Sequence, residues 1–339
     1  MWRGVKKATR PGSYKVIEVT QVSEIAKRES TQQKISKRSK LKEGIALTKI
    51  LLSSDWRKFR AMNPDERYVR PQKEYNIPPF HKDMRYCTSN EPYLRPTRWC
   101  NPREAAVIAV ANELGAYKLS DREYAEASFW FIKNKMMVEF CPMDGAGATL
   151  QRGTGTCWHL INVFVALCRA AGIKARYKTY VLKLTEEILD SAQDDRARLV
   201  HALFDFGGTS EGEGEAYVDG KWVVAHVAMR PELYANVGLP ITKFGEDSIN
   251  FTLKALPGTI RRFESIPFGL GIGLKVGMKF LSLPMEQANI YIQKRYQSGR
   301  KIIEEAGGVD VYDRNARIKW GPSTLMTELK NDDALVFEE

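Results

Sequence analysis

The sequence predicts an α+β protein, and three observations carry the prediction. Over residues 101–172 apolar side chains recur at intervals of three and four, the spacing of a helix face. From Lys174 onward the interval falls to two, the spacing of a strand face. Asp219-Gly220, a strong hairpin signal, then joins two such alternating runs. Helices followed by an antiparallel sheet make an α+β domain, with the helices lying on the sheet rather than alternating with its strands.

Each element has its own signal. Residues 1–75 read as a basic, mainly helical N-terminal extension: "EGIALTKILLSSDWRKFRAM" sets Ile45, Leu47, Ile50, Leu51 and Trp56 at helical spacings, and Pro64 stops the run. Residues 76–100 are crowded with prolines and aromatics and read as a strap across a neighbouring domain, because a solvated linker has no use for so many large rings. The core is expected over 101–235. Asn101-Pro102 predicts a helix start and Gly115 its end. Ser120 and Glu123 form a capping box ahead of a second helix, "YAEASFWFIKNKMMVEF". After a glycine-rich loop over 143–155, Cys157 opens a third helix of about fifteen residues, closed by Gly172, with Leu160, Ile161, Phe164, Leu167 and Cys168 on one face.

The strands follow. "KARYKTYVLKL" alternates, "TEEILDSAQDDRARL" reads as a polar helix or excursion, "HALFDF" as a short strand, and "GEAYVDGKWVVAHVAM" as a hairpin. Residues 236–339 form a C-terminal extension. In it "FGLGIGLKVGMKFLSL" is apolar but broken by glycines, and reads as loop and strand or as a membrane-surface or partner-binding patch. A helix is expected at about 285–306, ended by Gly307-Gly308, with a frayed acidic tail beyond.

Charge is unevenly placed. The formal net charge is +11, and residues 1–75 hold 19 Lys and Arg against 8 Asp and Glu, so the whole excess sits in the first segment. Such a block meets polyanions or an acidic protein surface, or is simply a solvated helix face. Five cysteines without a CxxC pair argue against a disulfide framework and a zinc site. No metal or cofactor is expected. The basic N-terminus lacks the apolar stretch of a secretory signal, and no run is long enough for a membrane span. A cytoplasmic setting, or an intracellular or viral particle, is therefore expected.

The chemistry centres on Cys157. A catalytic thiol needs a lowered pKa, a base, and donors for the oxyanion formed on attack at an amide carbonyl. A thiolate in the first turn of a helix meets the positive end of the macrodipole. His159, two residues on, points away around the helix. If Asp219-Gly220 is a two-residue turn, Glu213 lies opposite His226, about 5 Å away at Cβ, where a carboxylate could fix the imidazole as in a triad. Glu211 and Glu215 share that face, and His201 could instead reach the thiol from a neighbouring strand.

"RGTGTCWHLINVFVALCRAAGIKARYKTYV" resembles the core motif of the transglutaminase-like superfamily, a Gly-x-Cys nucleophile opening a helix that leads into a strand. "GEAYVDGKWVVAHV" resembles that family's following hairpin. Gln151, six residues before Cys157, and the pair Cys157-Trp158 are similar to papain-like cysteine peptidases, in which a glutamine at that offset helps build the oxyanion hole. The resemblance implies a transglutaminase/papain-like core, a nucleophile helix packed on an antiparallel sheet, and amide chemistry through a thioester. On the family's pattern its histidine falls on Glu211 and its aspartate on His226, so the base does not carry over by position. Three arrangements stay open: a rearranged triad of Cys157, His226 and Glu213 (or Glu211), a triad using His201, and an inactive domain serving as a structural or interaction module. Hydrolysis of a peptide or protein amide is expected over cross-linking, because the chain shows no clear calcium loop.

Overall fold

The computed structural model describes residues 67–184, 209–246, 253–255, 260–267, 271–272, 275 and 282–320, all within one unit spanning Leu47–Glu339. The basic block at 34–44, the helix expected around 45–56, the "TEEILDSAQDDRARL" and "HALFDF" segments with His201, and the acidic tail lie outside the described residues.

Helix α1 (Ala105–Glu113) begins later than Asn101-Pro102 suggests. Asn101 Oδ1 accepts from the Arg103 amide at 3.1 Å and closes a separate turn before the helix. Helix α2 (Asp121–Lys135) starts at the expected capping box, with Ser120 and Glu123 bonded reciprocally. It ends sooner than its apolar pattern, because the backbone turns extended at Met136 and β1 (Met137–Val138) pairs in parallel with β2 (Thr154–Gly155). Between these short strands the presumed glycine-rich loop holds a helix, α3 (Ala146–Arg152). Its small residues Ala146, Gly147 and Thr149 are buried with Leu150, a spacing that a count of glycines misreads as loop.

Helix α4 (Cys157–Ala170) is the centre of the molecule, buried at every residue from Trp158 to Ala170. A helix buried on all sides belongs to the core rather than to a surface layer. Helices α1, α2 and α3 surround it, and the sheet closes the remaining side. The sheet is antiparallel in the order β5 (Lys221–Ala225), β4 (Thr209–Val218), β3 (Ala175–Leu184), with β6 (Leu253–Ala255) and β7 (Arg261–Phe263) both paired to the far edge of β3. Asp219 (φ 53°) and Gly220 (φ 74°) both occupy the left-handed region, as a two-residue primed turn requires, and Val218 pairs with Lys221.

The alternation "EGEGEA" is explained by what lies on each side of β4. A Cβ at Gly214 would sit 2.5 Å from Phe164 Cδ1, and one at Gly212 would sit 2.9 Å from Ile161 Cδ1. The glycines let α4 lie close on the sheet, so Glu213 and Glu215 point to the opposite face. There the buried carboxylates meet cations: Glu213 Oε2 is 3.2 Å from Lys178 Nζ, and Glu215 pairs with both Arg176 and Arg262. Carboxylates out of water persist as ions only with such partners.

The strap and the end of the extension before it, residues 67–75, run together as one extended segment without helix or strand from 67 to 100. The Cys87 amide donates to Ala170 O at 2.8 Å, and Tyr93 O accepts from the Ala175 amide at 3.1 Å. The fully buried Arg169 guanidinium donates to the carbonyls of Ala175, Arg95 and Glu264, joining the end of α4 to the strap and to the turn after β7. Past the sheet, α5 (Pro231–Asn236), α6 (Ser282–Ala306) and α7 (Val309–Trp320) gather a second apolar cluster around Tyr234, Leu239, Ile303 and Tyr312. The described residues of the apolar stretch, Gly271, Ile272, Lys275, Ser282 and Leu283, are helical, against the expectation of loop and strand.

Candidate active site

Cys157 is the first residue of α4 and is partly exposed, packed against the edge of the main core. Cys100, Cys141 and Cys168 are buried, and burial pushes all three thiols up, Cys141 to about 11. Cys87 lies partly buried in the strap.

The turn before Cys157 is held from several directions. Thr156 is the N-cap of α4, and His159 at the N3 position accepts the Thr156 amide on Nδ1 at 3.1 Å, a capping box with imidazole in the usual place of a carboxylate. Nε2 is engaged as well, 3.3 Å from Pro142 O, 3.4 Å from Asp144 Oδ1 and 3.3 Å from the Asp144 amide that donates to it. Burial drives the His159 pKa down to about 4, so the ring is neutral at pH 7. His159 therefore shapes the helix start and has no spare nitrogen aimed at Cys157. Gly155 is required here, because a Cβ would lie 2.4 Å from that of His159.

Two ion pairs brace the same turn. Glu139, buried beside β1, receives three hydrogen bonds from Arg70, just ahead of the strap, and one from the Thr154 hydroxyl. Asp144 pairs with Arg152, the last residue of α3. The extended segment that leads into the strap passes directly over this region: Tyr75 donates to Leu150 O at 2.7 Å, and Lys73 lies against Gly153. Its next residue, Glu74, reaches Arg230 at 3.2 Å, four residues beyond His226. It thus touches both the segment leading into Cys157 and the segment leaving His226.

His226 follows the last paired residue of β5, Ala225, which sits opposite Gly214. The ladder ends there: His226 lies just past β5, and the pairing with Glu213 that the Asp-Gly turn implies is not among the strand pairs. The ring is buried, and its Nδ1 is 2.7 Å from the Tyr234 hydroxyl on α5. That hydroxyl is also 2.6 Å from Thr242 Oγ1. Lys133 of α2, fully buried, donates to His226 O and to Thr242 Oγ1, each at 3.0 Å, and lies 3.4 Å from the Tyr234 oxygen. Burial pushes its ammonium well below the usual lysine range. Glu213 itself is engaged by Lys178 across the β3–β4 ladder.

Sequence reasoning missed Tyr234, Lys133 and Thr242. Pro231 at the first position of a short helix was the available signal for the element that carries Tyr234. Nothing in local spacing marks Lys133, which sits 93 residues before His226. Gln151 is exposed on the last turn of α3. Among the described residues no cluster of three or more His, Cys, Asp or Glu could hold a metal ion, and no helix is long and apolar enough to cross a membrane.

Residues 108–227 match the family model of the transglutaminase-like superfamily. The chain contains a transglutaminase-like core. The matched span opens inside α1 and ends one residue past His226, so Gln151, Cys157, Glu213 and His226 all fall within the transglutaminase-like core, whereas Tyr234 and α6 and α7 lie outside it. Among solved structures, one described as "a Putative Cysteine Protease from Cytophaga hutchinsonii" is similar at 18% identity over 51% of this chain, with a TM-score of 0.31. The alignment covers 52% of that protein, so this chain spans about half its length. No curated protein matches.

Proposed function

We propose that the chain is a cysteine-dependent amide hydrolase, a peptidase or isopeptidase, with Cys157 as nucleophile and His226 as its base. The thiol proton passes to the imidazole and the thiolate attacks the carbonyl carbon of a peptide, isopeptide or glutamine carboxamide. The C–N bond then breaks as the imidazolium protonates the departing amine, leaving a thioester. Water attacks the thioester, its proton returns through His226, and the acid leaves with the thiol restored. Gln151 and the amides at the start of α4 would donate to the oxyanion.

The observation that supports this reading is the setting of Cys157: first in a core helix, partly exposed, in a turn braced on several sides, while three other thiols are buried with raised pKa values. A second reading, a silent interaction module, draws on the engagement of the Glu213 carboxylate by Lys178, which leaves the expected orienting acid otherwise occupied. Under either reading the basic segment 1–75 is assigned to contact with a polyanion or an acidic protein surface.

Iodoacetamide labelling across pH, with each cysteine mapped by mass spectrometry, separates the two readings. The hydrolase reading expects Cys157 to reach half-maximal reactivity well below about 8.5, the ordinary thiol value, and Cys157→Ser to remove that fast phase. If Cys157 labels with an ordinary thiol profile, the enzyme reading is rejected.

A further inference from the structure

Resting on the reading of His226 as base, we infer that Tyr234 is the positioning residue that orients its ring, in the place a carboxylate takes in a triad. The geometry is direct. Tyr234 Oη lies 2.7 Å from His226 Nδ1, and the two rings meet edge to face with centroids 6.2 Å apart. For Nε2 to take the thiol proton, Nδ1 must already carry one, so Tyr234 must accept it. The hydroxyl can do so because its own proton has a destination, Thr242 Oγ1 at 2.6 Å.

Lys133 completes the device. It donates to Thr242 Oγ1 and to the backbone oxygen of His226, and its Nζ lies 4.5 Å from the Tyr234 ring centroid. A single buried side chain thus holds the main chain of the base and the acceptor of the tyrosine proton at once. Lys133 Nζ also donates to the Tyr234 oxygen at 3.4 Å, a contact that favours that oxygen as acceptor from His226. The ionisable groups acting on this network from neighbouring elements are Glu213 of β4, Glu246 after α5 and Asp313 of α7, each of which offsets part of the burial cost of Lys133. Glu213, the orienting acid expected from the hairpin register, is directly opposite Lys178 and ion-paired with it.

The test reads the imidazole itself. The chain has four histidines, so ¹⁵N-histidine spectra can be assigned with single His→Gln replacements. Wild-type His226 is expected as the Nδ1–H tautomer, and Tyr234→Phe, which keeps the ring in its apolar cluster, is expected to lose that single-tautomer signature. The double substitution Lys178→Gln with Glu213→Gln, which leaves no unpaired buried charge, is expected to keep it. An Nε2–H tautomer in the wild type, an unchanged spectrum in Tyr234→Phe, or loss of the signature in the double variant alone would overturn the assignment. Should Tyr234→Phe fail to fold, Thr242→Val removes the acceptor of the tyrosine proton instead; it is expected to mix the tautomers, and an unchanged spectrum overturns the proposal. Cys157 alkylation run in parallel is expected to slow about tenfold in Tyr234→Phe, the worth of one hydrogen bond. Ordinary reactivity of Cys157 in the wild type would reject the hydrolase reading, and the histidine spectra would still decide the role of Tyr234.

Discussion

Protonation of His159 should dominate the loss of stability in mild acid. The ring is buried at the start of α4, and its pKa lies at about 4 against the ordinary histidine value of 6.5. As pH falls below 6.5 the unfolded chain binds a proton that the folded chain refuses, so stability drops over the window between 6.5 and 4. A difference of about 2.5 units corresponds to roughly 3 kcal/mol, a large part of a typical domain's net stability. Asp144 does not blur this window: burial works against its charge, but Arg152 holds its carboxyl below the ordinary aspartate value of 3.8, so its own contribution is lost only below that pH. His159→Gln keeps an acceptor for the Thr156 amide and does not titrate. Urea unfolding followed from neutral pH down to about 4.5 should show a steep fall in the wild type and a much flatter profile in the variant. Parallel falls in the two proteins would refute the argument and place the acid sensitivity elsewhere.

Two other outcomes follow from single positions and from charge. Gly299→Ala puts a Cβ 1.7 Å from Glu232 O, forcing α6 away from α5, and should lower the melting temperature by an amount matching about 1–3 kcal/mol, whereas an unchanged transition would show that the helices slide freely. Removal of residues 1–66, which hold 16 Lys and Arg against 7 Asp and Glu, should abolish salt-sensitive retention on heparin; retention equal to that of the full chain would reject the polyanion role.

Much of the fold was legible because its signals are local. The Ser120–Glu123 capping box, the central helix closed at Gly172 and the Asp219-Gly220 hairpin each depend on residues within a few positions of one another, and each is present. The departures share a cause as well. Helix α3 hides among glycines because the neighbours that bury its small residues are distant in the chain, and α2 stops early because Met137–Val138 finds a strand partner 17 residues later. The alternation in "EGEGEA" reads from sequence as a face of glutamates near a histidine. Only the packing of Ile161 and Phe164 shows that its glycines make room for α4, and only the ion pairs show that Glu213 and Glu215 serve Arg176, Lys178 and Arg262.

The sequence by itself determined the capped start of α2, the position of Cys157 at a helix start and the register of the Asp219-Gly220 hairpin, since periodicity, capping and turn geometry act over short chain distances. Tertiary structure alone decided the rest. His159 became a cap, Glu213 became half of an ion pair, and His226 acquired Tyr234 with Lys133 behind it, because a buried polar group takes whichever partner the fold brings within hydrogen-bonding distance, however far away it lies in the chain.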